Sequence, residues 1–336
     1  MILVTGGLGY IGSHMAAILL ANGHDVILVD NLCNSKMEVL ERLEYMAGRY
    51  VTFIRLDVRN TPALQRTIEQ YGVTAVVHTA STKSIPDSMV QPLDFYNNNV
   101  TCTTSVLRAM QRTSIKTLVF CSSLAIYGAD QDEPVTEQTP FKPTTPYAKS
   151  LQMSEQIVAD IAHFESEWRV AMMRFSNIGG AFPTGVLGEW PTSLPSNLMP
   201  YLVQLARHER DTLEIYGDQY ATKDGTGVRD YLHIMDAVEA NMHALGWLFN
   251  QHECIETFNI CTGKGSSVKE VADVFAKVTQ QAMPQNISPA REGDVGSLIG
   301  NPDKAKQILQ WQSKRSVEDI ATDLWRFYQF AKPLTS

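Results

Sequence analysis

The chain has 336 residues, 44% hydrophobic and 19% charged, a composition that fits one large or two moderate globular domains and excludes a disordered chain. Its net charge of −8 disfavours nucleic acid or an anionic membrane as the main partner, so an anionic ligand would need locally placed Arg and Lys. The five cysteines have no paired spacing that reads as a disulfide framework or a zinc site, and no apolar stretch reaches the ~20 residues that span a bilayer. Cys121 and Cys261 lie in or beside apolar runs and read as core thiols. The N-terminus enters a strand at once with no basic leader, which with the cysteine usage points to a reducing cytoplasm.

The first apolar run, Ile2-Leu3-Val4, leads directly into G-G-L-G-Y-I-G at Gly6 to Gly12. The pattern reads as a strand ending at Thr5, a glycine turn and a helix from about Tyr10. Gly6 allows the tight turn, Gly9 lets a pyrophosphate approach the backbone, and Gly12 lets the helix pack on the strand. Free N–H groups at the helix N-terminus then face the phosphates. A second apolar run from Val26 to Val29 ends in Asp30. This is roughly 20 residues beyond the turn, where a carboxylate accepts hydrogen bonds from an adenosine ribose. That carboxylate repels a 2′-phosphate, so the spacing points to NAD rather than NADP.

Further strand patterns fall at 52–57, 75–78, 117–122 and 170–175. Helical patterns lie between strands near 11–22, 61–71, 92–112 and 147–166. This alternation predicts an α/β fold, a Rossmann-type doubly wound parallel sheet covered on both faces. Right-handed crossovers put the carboxyl ends of the strands along one edge, where ligands bind. Gly6, Asp30, Asp57, His78 to Lys83 and Ser122-Ser123 all fall there. After Phe175 the texture changes. Residues 176–229 are rich in Gly, Pro, Asn and Ser, with one helix near 197–208, and read as a smaller mixed substrate-binding region. An apolar segment at 257–261 returns to the main sheet, and 266–281 and 315–331 read as amphipathic helices. The expected division is 1–176 plus about 230–262 for the cofactor, and about 177–229 plus 263–336 for the substrate.

Two further signals accompany the glycine turn. Cys121-Ser122-Ser123-Leu124-Ala125-Ile126-Tyr127-Gly128 is a strand end with hydroxyls, and Tyr147-Ala148-Lys149-Ser150 opens a helix after Pro146. Together with the turn they resemble an extended short-chain dehydrogenase/reductase. Asp30-Asn31-Leu32-Cys33-Asn34-Ser35, Asn197-Leu198-Met199-Pro200-Tyr201, Asp224-Gly225-Thr226-Gly227-Val228-Arg229-Asp230-Tyr231 and Arg291-Glu292-Gly293-Asp294 are similar to motifs of the UDP-glucose 4-epimerases. The resemblance runs over nearly the whole chain.

In that family a tyrosinate removes the proton from the sugar 4-OH while the C4 hydride moves to NAD. The 4-keto sugar then swings over and takes the hydride back on its other face. By this resemblance Tyr147 is the base and Ser123 shares and relays the 4-oxygen proton. Gly6, Gly9, Tyr10, Ile11 and Gly12 belong to the pyrophosphate turn. Asp30, Asn31, Asn34 and Ser35 surround the adenosine ribose, and Asp57 and Val58 flank the adenine. Thr79, Ala80, Lys83 and Asn98, with Ser123, Tyr147 and Ser176, line the nicotinamide half. The resemblance assigns the substrate UDP-sugar to Ser123, Tyr147, Asn177, Asn197, Leu198, Tyr216, Arg229, Arg291, Asp294 and Leu298. Arg229 and Arg291 match positions that clamp the pyrophosphate, where guanidinium forks suit phosphate oxygens. The family also implies a homodimer and involves neither nucleic acid, membrane nor metal.

The family's helix motif is Y-x-x-x-K, but position i+4 from Tyr147 is Leu151. The lysine normally holds the nicotinamide ribose and lowers the tyrosine pKa. A cation about 4 Å away is worth up to ~4 kcal/mol at an effective dielectric near 20. Its loss therefore raises the tyrosine pKa by about one to three units. Lys149, at i+2, points to nearly the opposite helix face. Lys83 matches a family lysine and is the candidate for a residual field. Ser81, Cys102, Ser176 and Ile178 also replace family residues, in the loop before Lys83, in N-V-x-G-T and in R-Y-F-N-P, and are expected to gather at the nicotinamide end. Leu298 stands at a gating position that is Tyr or Cys in relatives, which leaves N-acetylated sugars open.

The resemblance thus implies NAD-dependent 4-epimerisation of a UDP-hexose, slowed by the missing lysine. A competing reading is a catalytically weak paralogue that binds NAD and a UDP-sugar for regulation. A 4,6-dehydratase would place acidic residues directly after the strand-end hydroxyl, where this chain has Leu124 and Ala125.

Overall fold

The computed structural model describes residues 1–129, 131–190 and 197–330. Its first half runs β1 (Ile2–Thr5), α1 (Tyr10–Ala21), β2 (Val26–Asp30), α2 (Met37–Ala47), β3 (Thr52–Arg55), α3 (Thr61–Tyr71) and β4 (Ala75–His78). Then come α4 (Ile85–Val90), α5 (Pro92–Phe95), α6 (Thr101–Arg112), β5 (Thr117–Ser123), α7 (Pro146–Phe164) and β6 (Arg169–Phe175). The second half begins with β7 (Asn177–Gly179), α8 (Leu198–Ala206), β8 (Leu213–Tyr216), β9 (Val228–His233), α9 (Ile234–Phe249) and β10 (Cys254–Ile260). It closes with β11 (Gly265–Ser267), α10 (Val268–Thr279), β12 (Gln285–Ser288), β13 (Ser297–Leu298), α11 (Asp303–Ile308) and α12 (Val317–Phe330). The expected last residue of the final helix, 331, lies outside the described residues.

One seven-stranded sheet has the order β3-β2-β1-β4-β5-β6-β10, and all its pairs are parallel. β1, β2 and β4 are buried along their whole length because helices cover both faces, which is why they read as unbroken apolar runs. One face packs against α1 and α9, through Met15, Leu19, Ala237, Ala240 and Ala244. The other packs against α3 and α6, through Leu64, Ile68, Val106 and Met110. The chain reverses direction across the sheet between β1 and β4. Crossovers there leave in opposite directions and open a crevice beyond the carboxyl ends.

Four helices are absent from the sequence expectation: α2, α9 and the short α4 and α11. α9 is buried on most of its surface between the sheet and α1, so it lacks a polar stripe. α2 has no side-chain cap at Lys36 to mark its start. The second half also builds a four-stranded sheet, β11-β9-β13 with β7 on β9, and a separate β8–β12 pair. α8, α10 and α12 share a core with this region, centred on Leu202, Val203, Phe275, Leu324 and Phe327. No helix among the described residues is long and apolar enough to cross a membrane.

Candidate active site

The turn from β1 into α1 forms the floor of a cavity of about 390 Å³. Gly6 has φ +63, and a Cβ there would approach the Ala80 backbone at 3.0 Å. A Cβ on Gly12 would collide with the Gly6 carbonyl oxygen. Gly9 caps α1 with no side-chain hydrogen bond, so the first-turn N–H groups keep no side-chain acceptor. Gly6, Gly9, Tyr10, Ile11, Gly12, Asp30, Asn31, Asn34, Ser35, Asp57, Val58, Thr79, Ala80, Lys83 and Asn98 all line this cavity. The Asp30 carboxylate, at the end of β2, accepts from the Leu8 N–H at 3.1 Å, and from the Leu32 N–H and the Ser35 hydroxyl at 2.8 Å. Asp57 is paired with Arg59 at 2.6 Å, which holds its carboxyl well below the usual range, and also accepts from Asn31.

A second cavity of about 510 Å³ shares Tyr10, Ile11, Thr79, Ser81, Lys83 and Asn197 with the first. The two are therefore one trough running from Asp30 to the smaller sheets. Ser123 ends β5, and Tyr147 sits in the first turn of α7, where Thr145 accepts the Ala148 N–H at 3.2 Å. Both line this second cavity. Burial raises the Tyr147 pKa, and a hydrogen bond with Ser123 lowers it in part; no charged side chain contributes. Leu151, one turn on, is 3% exposed and packs with Leu124, Ile126, Tyr127, Val135, Cys261 and Leu298. Lys83 lies 2.6 Å from Glu189, so its charge is matched there and it does not replace the missing cation. Lys149 is exposed, away from both cavities.

The continuous helix expected over 92–112 is broken by a π-helical turn, Tyr96–Val100. The extra residue per turn brings Asn98 to the cofactor cavity and Asn99 to the loop beside it. Asn99 accepts the Thr82 N–H at 2.7 Å and donates to the Thr82 carbonyl at 3.1 Å and to Ser150 Oγ at 2.8 Å. Ser150 in turn donates to the Tyr147 carbonyl at 2.7 Å. The cavity loop is thereby tied to the helix that carries Tyr147.

At the far end, Asn177, Asn197, Leu198, Tyr216, Arg229, Arg291 and Asp294 line the second cavity. Arg291 stands over the Tyr216 ring at 4.3 Å and donates to Asp294 at 2.9 Å. Arg229 donates to the Val228 carbonyl at 2.8 Å. Leu298 lies outside this wall and lines a side chamber of about 70 Å³ with Ser123, Ser176 and Asn177.

Two expectations change. Cys102 does not join Ser81, Ser176 and Ile178 beside Tyr147. It lines only the cofactor cavity, near Asp57 and Cys33, and burial pushes its thiol up to about 12. Cys121 is not a pure core thiol, since it is half-buried in the wall of the second cavity, whereas Cys261 is fully buried. The sequence reading also missed Lys36, Glu189, Trp190, Tyr220, Tyr231 and Val295, which line the trough. Tyr231 closes the Asp224–Tyr231 motif and Val295 follows Arg291–Asp294, signals that could have found them, whereas nothing in the local sequence marks Lys36, Glu189, Trp190 or Tyr220.

The family model described as GDP-mannose 4,6 dehydratase matches residues 3–324. A UDP-glucose 4-epimerase of Bacillus subtilis is 39% identical over 326 residues, 97% of this chain and 96% of that protein. One from Schizosaccharomyces pombe is 38% identical over 332 residues, 98% of this chain and 94% of that protein. The crystal structure of UDP-glucose 4-epimerase from Bifidobacterium longum in complex with NAD+ and UDP superposes with a TM-score of 0.95 at 34% identity, covering 98% of both chains. The Stenotrophomonas maltophila epimerase with bound NAD and formylated UDP-arabinopyranose gives a TM-score of 0.94 at 36% identity, covering 98% of this chain and 97% of that one.

Proposed function

The chain belongs to the UDP-glucose 4-epimerase family, and on that premise we propose that it interconverts the 4-epimers of a UDP-hexose with NAD as a resident cofactor. One observation carries the reading. A single trough joins a glycine turn and Asp30 at one end to the Ser123–Tyr147 pair and two arginines at the other. The trough suits a dinucleotide. Side chains at Gly6 and Gly12 would close its floor, and the uncapped start of α1 offers N–H donors to a pyrophosphate. Asp30 would accept from the adenosine ribose.

Bound NAD supplies reversible hydride acceptance. Tyr147, as phenolate, takes the 4-OH proton, and Ser123 bridges the phenol and the 4-oxygen so that the proton can return. Arg229 and Arg291 hold the UDP pyrophosphate while the sugar turns. Tyr147 lacks a neighbouring cationic side chain, leaving only the charge of NAD⁺ itself, so its base form is scarce near neutral pH and turnover is slow there. A dehydratase needs acids after Ser123; Leu124 and Ala125 supply none. Burial of Leu151 favours one second reading, a weakly catalytic protein that binds both nucleotides for regulation.

In this proposal residues 1–176 and about 230–262 carry the cofactor, and about 177–229 and 263–336 carry the UDP-sugar. Exposed Val90, Leu93 and Met153, on the mutually packed α4, α5 and α7, support pairing with a second copy. The test of the binding half is direct. Purified protein should release nicotinamide dinucleotide on denaturation, and UDP should raise its melting temperature. Absence of both, with no binding by calorimetry, would remove the reading.

A further inference from the structure

The loop at 180–190 leaves β7 and passes over the cofactor side of the trough, where both lobes fasten it. The turn itself is closed by an Ala181–Gly188 bridge and by the Phe182 N–H donating to the Leu187 carbonyl at 2.8 Å. From the cofactor lobe, the Tyr10 hydroxyl donates to the Gly180 carbonyl at 2.6 Å and Arg42 to the Val186 carbonyl at 2.9 Å. Lys83 pairs with Glu189 at 2.6 Å. From the other lobe, the Tyr328 hydroxyl donates to the Glu189 carbonyl at 2.8 Å. At the end of the loop the Trp190 ring has the Lys36 ammonium 4.7 Å away and the Arg42 guanidinium 5.0 Å away. Lys36, Lys83, Gly188, Glu189 and Trp190 all line the cofactor cavity.

We propose that Trp190, held by Lys36 and Arg42, is the keeper of a clasp that governs how fast the dinucleotide enters and leaves. The proposal rests on the reading that this cavity holds NAD. The contacts on Trp190 come from α2 and its N-cap and, edge-on at 5.9 Å, from Phe327 of α12, and those on Glu189 come from Lys83 and α12. Opening the clasp therefore separates groups from both lobes at once. Cation–π contacts with a partly desolvated indole are strong enough to keep such a clasp shut most of the time, yet few enough to let it open without unfolding. The device matters in this chain because Leu151 cannot hold the nicotinamide ribose as a lysine would.

The test measures uptake and release of NAD by stopped-flow fluorescence and by rapid gel filtration, on wild type, Trp190→Ala, Trp190→Phe and Lys36→Ala. A gate speeds both directions, whereas loss of an ordinary contact speeds release alone. Trp190→Ala should accelerate release and uptake together by about tenfold, the scale of losing a pair of cation–π contacts, so that the ratio of the two rates moves less than either rate. Trp190→Phe, which keeps a ring, should fall between. Lys36→Ala, outside the packed core, carries the test if Trp190→Ala lowers the melting temperature sharply. Release accelerated alone, or neither rate changed in Trp190→Ala and Lys36→Ala, overturns the clasp. Failure of wild type to bind NAD at all overturns the site reading as well.

Discussion

Leu151→Lys should turn a slow enzyme into a faster one at pH 7. Position 151 is one helical turn beyond Tyr147, where side chains on one face lie about 5–6 Å apart at Cβ. Its side chain already borders both the second cavity and the apolar cluster around Leu124 and Leu298. An ammonium about 5 Å from the phenolate is worth roughly 3 kcal/mol at an effective dielectric near 20. The cost of bringing that ammonium against apolar neighbours reduces the net to about one to two pKa units. Tyr147 acts in its deprotonated form, and burial sets its pKa above the ordinary 10.0. The active fraction in wild type therefore rises about tenfold per pH unit across pH 7 to 9, and the variant should reach a given rate one to two pH units lower. At pH 7 the gain is about tenfold to hundredfold. The assay is initial conversion of UDP-galactose, coupled to oxidation of the UDP-glucose formed, from pH 6 to 10. A wild-type rate that is high and flat over pH 6 to 9, or no gain in Leu151→Lys at pH 7 with the fold intact, would refute the reasoning.

Other outcomes follow from the same geometry. Arg229→Ala and Arg291→Ala should each weaken UDP binding by about tenfold or more, since a charge-assisted hydrogen bond is worth about 1.5–3 kcal/mol; calorimetry with unchanged affinity in both would move the pyrophosphate site. His14 and His78 are buried, and desolvation lowers each pKa from 6.5 to about 4. The folded protein then binds fewer protons than the unfolded chain between those values, so stability present above pH 6.5 is lost as pH falls toward 4. Urea unfolding should show about 2 kcal/mol less per histidine at pH 5 than at pH 7, and equal stability at both pH values would contradict it. Arg174 donates to Glu155 at 2.6 Å with both side chains about 5% exposed or less. Arg174→Met should cost about 3–5 kcal/mol by chemical denaturation because it strands a buried carboxylate. Gly12→Ala should abolish NAD retention, read as nicotinamide content after gel filtration, because its Cβ would displace the Gly6 carbonyl.

The main sheet was legible because β1, β2 and β4 are buried on both faces, so Ile2-Leu3-Val4 and Val26 to Val29 carry no polar interruption. Gly6, Asp30, Ser123 and Tyr147 were legible because each sits where a strand ends or a helix begins, which sequence spacing marks. α9 was not, since a helix buried on most sides has no amphipathic period to read. The π turn at Tyr96–Val100 was not, because one added residue shifts the helical period too little to stand out. Cys102 was misplaced because position in a helix does not say which end of a long trough it faces. Glu189 and Trp190 come from a loop whose partners Lys83, Lys36 and Arg42 lie more than a hundred residues earlier, and no local motif encodes that meeting.

The most direct test of the central claim is epimerisation itself, followed by NMR in deuterium oxide at pH 9 with NAD-loaded protein. UDP-galactose and UDP-glucose should interconvert with no deuterium at C4 and no accumulation of reduced cofactor, because the hydride leaves and returns within one active site, and Tyr147→Phe should stop it. No conversion of UDP-galactose, UDP-glucose or their N-acetyl forms by wild type or Leu151→Lys, while both still bind NAD and UDP, would contradict the account and leave a nucleotide-binding protein in its place.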